Sequence, residues 1–309
     1  MKKAIGIDLG GTYIKGALID EQGNIVVKEQ IPTLRELGSE SILERIAELV
    51  RHLAQLSEVP MTSIAGVGIG IPGFIDERLG MAVEVINIGW KQVRVREPLE
   101  KILQLPIFMD NDANAAALGE AWVGAGRGTN SAICVTLGTG VGGGIVFNQK
   151  IWSGTNHMGG ELGHFVMDPD GAPCNCGRKG CLETFASATG ILRMASEGIE
   201  NGVPTSLSSV ELSTKEIFDA AAAGDELAET VVTKAAEMLG RGLAMAADLI
   251  NPEIIIIGGG VAKAGDGLFV PLRKAFIRYA LPRVVEVVRI VPALLGNDAG
   301  VVGAGKLTF

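Results

Sequence analysis

The densest set of metal-binding side chains in the chain lies between His164 and Cys181. The spacing His164-x9-Cys174-x-Cys176-x4-Cys181 offers one imidazole and three thiolates, a closed tetrahedral set of the kind that holds structural Zn2+. Asp168-Pro169-Asp170-Gly171 and Gly177-Arg178-Lys179-Gly180 supply the bends needed for the four to converge. Crowded cysteines in a chain expected not to be secreted read as metal ligands before disulfides. Cys134 falls in an apolar run and reads as core. Two carboxylates bracket the motif, Glu161 before its histidine and Glu183 after its last cysteine. A metal that fixes this loop would hold both rigidly, as needed to bind a polyhydroxylated sugar and deprotonate one hydroxyl. Taken singly, each reads equally well as a solvated surface acid.

Two glycine turns offer phosphate chemistry. In Asp8-Leu9-Gly10-Gly11-Thr12 and Leu137-Gly138-Thr139-Gly140 the glycines let the backbone approach a phosphate, and the threonine adds a hydroxyl donor. Asp8 suits a phosphate-bound Mg2+, directly or through water. Alone, each reads as a hairpin turn; together they are more telling. Each lies between two strands, so neither is a P-loop or a Rossmann fingerprint. Gly258-Gly259-Gly260-Val261-Ala262 misses the dinucleotide spacing and reads from the residues as a plain strand-to-helix connection. In Asp110-Asn111-Asp112-Ala113-Asn114, a strand passes into a helix, and one acid there is expected as a cap.

The elements that must position these groups follow from periodicity. Strands are expected over 4–9, 13–19 and 25–30, opening the chain as a meander, then a helix over 39–56 and a glycine-spaced strand over 64–71. A short helix over 97–103, a strand over 106–109 and an alanine-rich helix over 113–122 come next. A second strand–glycine turn–strand unit, 131–137 and 144–147, repeats the opening design, which suggests two related domains. Later come helices over 214–223, 226–250 and 266–279, a strand over 253–257, a last strand over 284–290 and a terminal helix over 297–305. The alternation makes the chain α/β.

Composition narrows the function. The 309 residues hold 47% hydrophobic and 20% charged residues, enough for a sizeable core and too little polarity for disorder. A formal net charge of −8 with no Lys/Arg block disfavours a nucleic-acid partner. No apolar run reaches the length of a membrane helix. An acid at Asp8 interrupts the first apolar run too early for a signal peptide, so the cytoplasm is the expected compartment.

Asp8-Leu9-Gly10-Gly11-Thr12, Glu161-x2-His164, Cys174-x-Cys176-Gly177-x2-Gly180-Cys181-Leu182-Glu183 and Ile257-Gly258-Gly259-Gly260-Val261 resemble the ROK family of sugar kinases and sugar-responsive repressors, over essentially the whole chain. Val85-Ile86-Asn87-Ile88-Gly89-Trp90 and Leu295-Gly296-Asn297-Asp298-Ala299-Gly300 are similar to the bacterial glucokinases within it. The resemblance implies an actin-like, ribonuclease-H-type ATPase fold, with two domains around a cleft. The smaller domain is expected over 1–118 plus 293–309, and the larger, with the zinc loop, over 119–292. It casts Asp112 as the general base for the sugar 6-hydroxyl, and Asn111, Glu161, His164 and Glu183 as sugar ligands, with Gly73 and Asn87 lining the pocket. Gly10, Gly11 and Thr12 from one domain, and Gly138, Thr139 and Gly140 from the other, would face the triphosphate of ATP. Gly259 would lie by the adenosine, against the plain reading of that triplet. His164 would use one ring nitrogen for zinc and the other for sugar. The implied activity is ATP- and Mg2+-dependent phosphorylation of glucose in a homodimer or larger assembly. Fructokinase and N-acetylmannosamine kinase are the alternatives. A repressor of the family is disfavoured, since only Met1-Lys2-Lys3 precede the first strand.

Overall fold

The computed structural model describes residues 2–309. The chain opens with the meander β1 (Lys3–Leu9), β2 (Tyr13–Asp20) and β3 (Ile25–Pro32), followed by α1 (Gly38–Leu56) and β4 (Ile64–Ile71). Next come β5 (Phe74–Asp76), β6 (Met81–Val85), β7 (Trp90–Arg94), α2 (Arg96–Leu103), β8 (Ile107–Asn111) and α3 (Asp112–Trp122). The second glycine-turn unit is β9 (Ser131–Leu137) and β10 (Val141–Phe147), with the short β11 (Lys150–Ile151). Four helices follow: α4 (Glu183–Ala186), α5 (Ala188–Glu200), α6 (Thr214–Ala222) and α7 (Glu226–Ile250). The chain closes with β12 (Ile254–Gly258), α8 (Asp266–Tyr279), α9 (Pro282–Val285), β13 (Arg289–Pro292) and α10 (Ala299–Lys306).

The two main sheets share one topology. The first has the order β3-β2-β1-β4-β8 and the second β11-β10-β9-β12-β13. In each, a meander of three consecutive strands puts its first strand in the middle, and later strands extend the sheet from there. β1 pairs antiparallel with β2 and parallel with β4, and β12 pairs parallel with β13. The expected duplication is therefore present in the strand order. The three-stranded sheet β5-β6-β7 has strands too short to carry a clear alternation in the sequence.

Burial explains the first sheet. Ile5, Ile7 and Leu9 of β1 and Ile14 and Leu18 of β2 are fully buried together with Ile42, Ile46, Leu49 and Leu53 of α1. Each such side chain contributes roughly 1.5–3 kcal/mol of hydrophobic stabilisation. The opposite face carries glycines because α10 lies directly on the strand backbone: a Cβ on Gly68 would stand 1.7 Å from the carbonyl oxygen of Ala304.

The expected last strand over 284–290 is corrected: Pro282–Val285 is a turn of helix, and the strand is Arg289–Pro292. Proline at the start of that turn is pre-set for helix, and Arg289 to Pro292 pair with Ile254 to Ile257. The chain packs as two compact units. The first runs to Cys134 and adds Gly144–Gly160 and Ala293–Phe309; the second is Val135–Gly143 with Glu161–Pro292. Residues 119–134 and 144–160, expected in the larger domain, pack with the first unit. The buried Glu120 carboxylate shows why, since it accepts the N–H groups of Leu294 and Leu295 at 3.1 and 2.7 Å. No described helix is long and apolar enough to cross a membrane.

Candidate functional site

In the second unit, the four expected metal ligands converge. One ligand atom from each of His164, Cys174, Cys176 and Cys181 lies within 4.8 Å of the others. Tight turns do the gathering: Cys174 N–H donates to Arg178 O at 2.8 Å and Gly177 N–H to Cys174 O at 3.0 Å, while Val166 bridges Cys181. Cys176 and Cys181 sulfurs are 3.6 Å apart, and Cys174 Sγ lies 3.6 Å from His164 Nδ1. A tetrahedral Zn2+ sphere built from ordinary Zn–S and Zn–N bonds has edges of roughly 3.8 and 3.5 Å. The residues therefore fit that metal.

The thiols are electrostatically unequal. Burial pushes the pKa of Cys174 and of Cys181 up. Burial also opposes ionisation of Cys176, but the Arg178 guanidinium, 3.4 Å from its sulfur, draws it down to about 6. A cation at the centre supplies the charge that three thiolates need.

The same cluster carries the acids. With Nδ1 turned to the cysteines, His164 presents Nε2 to Glu161 Oε2 at 3.8 Å. Burial raises the pKa of Glu161, and the nearby Glu183 charge adds to this against the opposing pull of His164. Glu183 accepts from Cys174 Sγ at 3.2 Å through one oxygen and from the N–H of Val141 at 3.3 Å through the other. It packs on the glycine loop so closely that a Cβ on Gly140 would lie 2.4 Å from its carboxylate. The loop itself is closed by Gly138 N–H on Gly140 O at 3.0 Å. Gly259 abuts Leu137, the residue before that loop. Glu161, His164, Glu183 and the 138–140 loop thus form one connected group.

In the first unit, Asp8 lies near the end of β1 opposite Lys15, whose ammonium lies 3.3 Å from its carboxylate. Sequence reading missed Lys15, although counting back across the 10–12 turn places it there. Gly300 keeps space beside Asp8, since a Cβ there would stand 3.0 Å from the carboxyl carbon. The Gly10–Thr12 turn is closed by Gly10 N–H on Tyr13 O at 2.9 Å and braced by Thr33 Oγ1 on Gly10 O at 2.7 Å. A Cβ on Gly11 would touch Asn87 at 3.6 Å, so the exposed Asn87 sits beside this turn.

The helix start at 110–114 is organised by an amide rather than an acid. Asn111 is the N-cap of α3, its Oδ1 accepting from Ala113 and Asn114 N–H at 2.8 and 3.2 Å, and its Nδ2 donating to Gly73 O at 3.0 Å. That satisfies two of the first-turn donors, which corrects the expectation of an acidic cap. Asp112, half-buried, is the first residue of the helix and accepts from Ala113 N–H at 2.9 Å. Asp110 points elsewhere: it accepts from Asn114 Nδ2 at 2.8 Å and Asn111 N–H at 2.7 Å, and burial raises its pKa. Gly73, Asn87, Asn111 and Asp112 therefore belong to the first unit, and Glu161, His164 and Glu183 to the second.

Twin sheets of this order, each with a glycine turn between its first two strands, define the actin-like class of α/β proteins. The sequence model of the ROK family matches residues 4–308, and the chain belongs to that family. It is 46% identical to a glucokinase of Halalkalibacterium halodurans across 98% of this chain and 94% of that protein. Among solved structures, it is similar to a ROK hexokinase from Thermus thermophilus, with a TM-score of 0.87, 35% identity and coverage of 99% and 97% of the two chains. A ROK glucokinase from Streptomyces griseus, solved with glucose and AMPPNP, gives a TM-score of 0.80 at 35% identity, covering 99% of this chain and 98% of that one.

Proposed function

We propose that this chain is an ATP-dependent glucokinase, transferring the γ-phosphoryl group of ATP to the 6-hydroxyl of glucose. The observation that carries the reading is the group of Glu161, His164 and Glu183 on a loop gathered by a Cys3His cluster. Such a group suits polyhydroxylated substrates: fixed acceptors and an imidazole reward hydroxyls at set positions and reject analogues that lack them. The glucokinase relative at 46% identity supports glucose as the sugar.

In the first unit, Asp112 takes the proton of the 6-hydroxyl as that oxygen bonds to the γ-phosphorus and the bond to ADP breaks. Asn111, tied by its cap, offers its remaining amide proton to the sugar, and Gly73 and Asn87 line the same side. In the second unit, Glu161, His164 and Glu183 bind the other hydroxyls. Gly10, Gly11 and Thr12, and likewise Gly138, Thr139 and Gly140, face the triphosphate: Gly10 and Gly138 spend their N–H groups closing the two turns, the other four residues offer backbone donors, and Gly259 lies toward the adenosine. Asp8, in the cradle that Gly300 leaves open, would hold Mg2+, which when bound neutralises phosphate charge. A loose phosphoryl-transfer transition state needs positioning and charge neutralisation above all. His164, Cys174, Cys176 and Cys181 would hold Zn2+ with no open position, a scaffold for the sugar loop. Four free cysteines suit a reducing compartment such as the cytoplasm.

The test is ADP release with glucose, fructose, mannose and N-acetylmannosamine as acceptors. Glucose is expected to give the highest kcat/KM. A higher value for fructose or N-acetylmannosamine would reassign the sugar, and no sugar-dependent ADP release would overturn the kinase reading.

A further inference from the structure

The loop between β9 and β10 is held from outside by its carbonyl groups. Gly138 O accepts the N–H of Ala188 at 2.8 Å, and Thr139 O accepts the hydroxyl of Thr189 at 2.6 Å. Both donors stand at the start of α5, which Ser187 caps by accepting from Gly190 N–H at 3.0 Å. Ser187, fully buried, also donates to Glu183 O at 2.6 Å and lies 3.0 Å from the Thr189 hydroxyl. Each hydroxyl has one proton to give. Those two protons occupy the two short contacts to carbonyls, so the Thr189 proton is committed to Thr139.

This arrangement has a directional consequence. The peptide group is planar and trans, so its C=O and N–H point to opposite sides. Drawing the carbonyls of Gly138 and Thr139 toward α5 turns the N–H groups of Thr139 and Gly140 away from it. Among the described residues, neither of those N–H groups donates to a protein acceptor. Two successive unpaired N–H groups on a glycine turn make a concave anion site. The next N–H, of Val141, goes to Glu183 Oε2 at 3.3 Å. Three consecutive links of the loop are thus fixed by the segment 183–189.

We propose that Thr189 is a positioning residue for nucleotide binding: its hydroxyl holds the Thr139–Gly140 peptide so that two backbone donors face a phosphate of ATP before ATP arrives. The proposal rests on the kinase reading above. Donors fixed in advance need no reorganisation when charge arrives or develops, which is where their value lies. A purely structural role is a poor alternative, because the capping of α5 belongs to Ser187 and Thr189 is exposed.

Thr189→Val keeps the shape and removes the hydroxyl, and Thr189→Ser keeps the hydroxyl. AMPPNP with Mg2+ is titrated calorimetrically into wild type and both variants, alongside glucose titrations, ADP-release kinetics and thermal unfolding. Thr189→Val is expected to weaken AMPPNP about tenfold and raise the KM for ATP in parallel, about what one lost hydrogen bond is worth. Its glucose affinity and Tm stay at wild-type values, and Thr189→Ser stays within about twofold of wild type for AMPPNP. Unchanged AMPPNP affinity in Thr189→Val, or equal losses in Thr189→Ser, overturns the proposal even if sugar phosphorylation is intact. Weakened AMPPNP binding in Thr189→Val, alongside a wild type that phosphorylates no sugar, would sustain the proposal and sink the kinase reading. Failure of wild type to bind AMPPNP would overturn both.

Discussion

Gly259→Ala tests whether the glycine triplet after β12 belongs to the nucleotide machinery. Gly259 has φ +90°, and a Cβ there would stand 2.3 Å from the carbonyl oxygen of Leu137 and 2.6 Å from its nitrogen. Leu137 ends β9, immediately before the 138–140 loop. The substitution therefore adds left-handed strain of roughly 1–2 kcal/mol and an overpacking cost of roughly 1–3 kcal/mol. If the strain stays in place, Tm falls by about 5–20 °C, taking a few degrees per kcal/mol for a unit of this size. If the backbone yields, Leu137 must retreat by about 1 Å, and misplacement on that scale costs up to about 10²-fold in rate. Gly260 is the internal control. Its φ of −63° and ψ of −41° suit alanine, and a Cβ there would meet nothing within 4 Å. Gly260→Ala should therefore change stability by no more than about 1 kcal/mol, and in the favourable direction. The assays are thermal unfolding and steady-state kinetics with ATP and glucose varied separately. Gly259→Ala should lower Tm or kcat/KM for ATP, with the KM for glucose less affected. Two alanine variants with the same Tm and the same ATP kinetics would refute the reasoning.

Cys176→Ser should reduce the zinc content of the purified protein and weaken glucose binding and turnover together, while AMPPNP affinity changes far less; elemental analysis and separate titrations measure this. Zinc-free wild type with intact glucose binding would count against the scaffold. Asp110→Asn should raise Tm at pH 7 relative to wild type. Burial raises the Asp110 pKa above that of an ordinary aspartate carboxyl, so the folded state binds this proton more tightly than the unfolded chain does. Its ionisation then costs stability that is absent below the unfolded pKa and fully felt above the folded one. The gain in the variant should accordingly shrink as pH falls toward 4, and thermal unfolding across that range would expose a gain that is flat or reversed.

The parts of the site that could be read in advance are those encoded by local spacing. The Cys3His set needs only short turns between its ligands, and Asp168–Gly171 and Gly177–Gly180 advertise them. The two glycine turns were legible because strand periodicity flanks each one, and the shared strand order follows from that repetition. Other features depend on which elements meet. β5 to β7 are short, with Gln92 in the left-handed region at φ +52°, so no alternation marks them. The cap of α3 was expected to be an acid, because aspartates stand on both sides of Asn111 and aspartate caps as readily as asparagine; only the geometry selects Asn111. The grip of Ala188 and Thr189 on the 138–140 loop joins positions some fifty residues apart, and no local pattern records it.

Asp112 carries the central chemical step, acceptance of the 6-hydroxyl proton, in the proposed reaction. Asp112→Asn keeps the size of the side chain and an oxygen acceptor for the Ala113 N–H, but removes the base. ADP release in the presence of glucose, measured beside calorimetric glucose binding, should show turnover reduced by roughly 10²–10⁴ with glucose affinity largely preserved. Equal turnover in variant and wild type would contradict the assignment of Asp112 as the group that accepts the 6-hydroxyl proton.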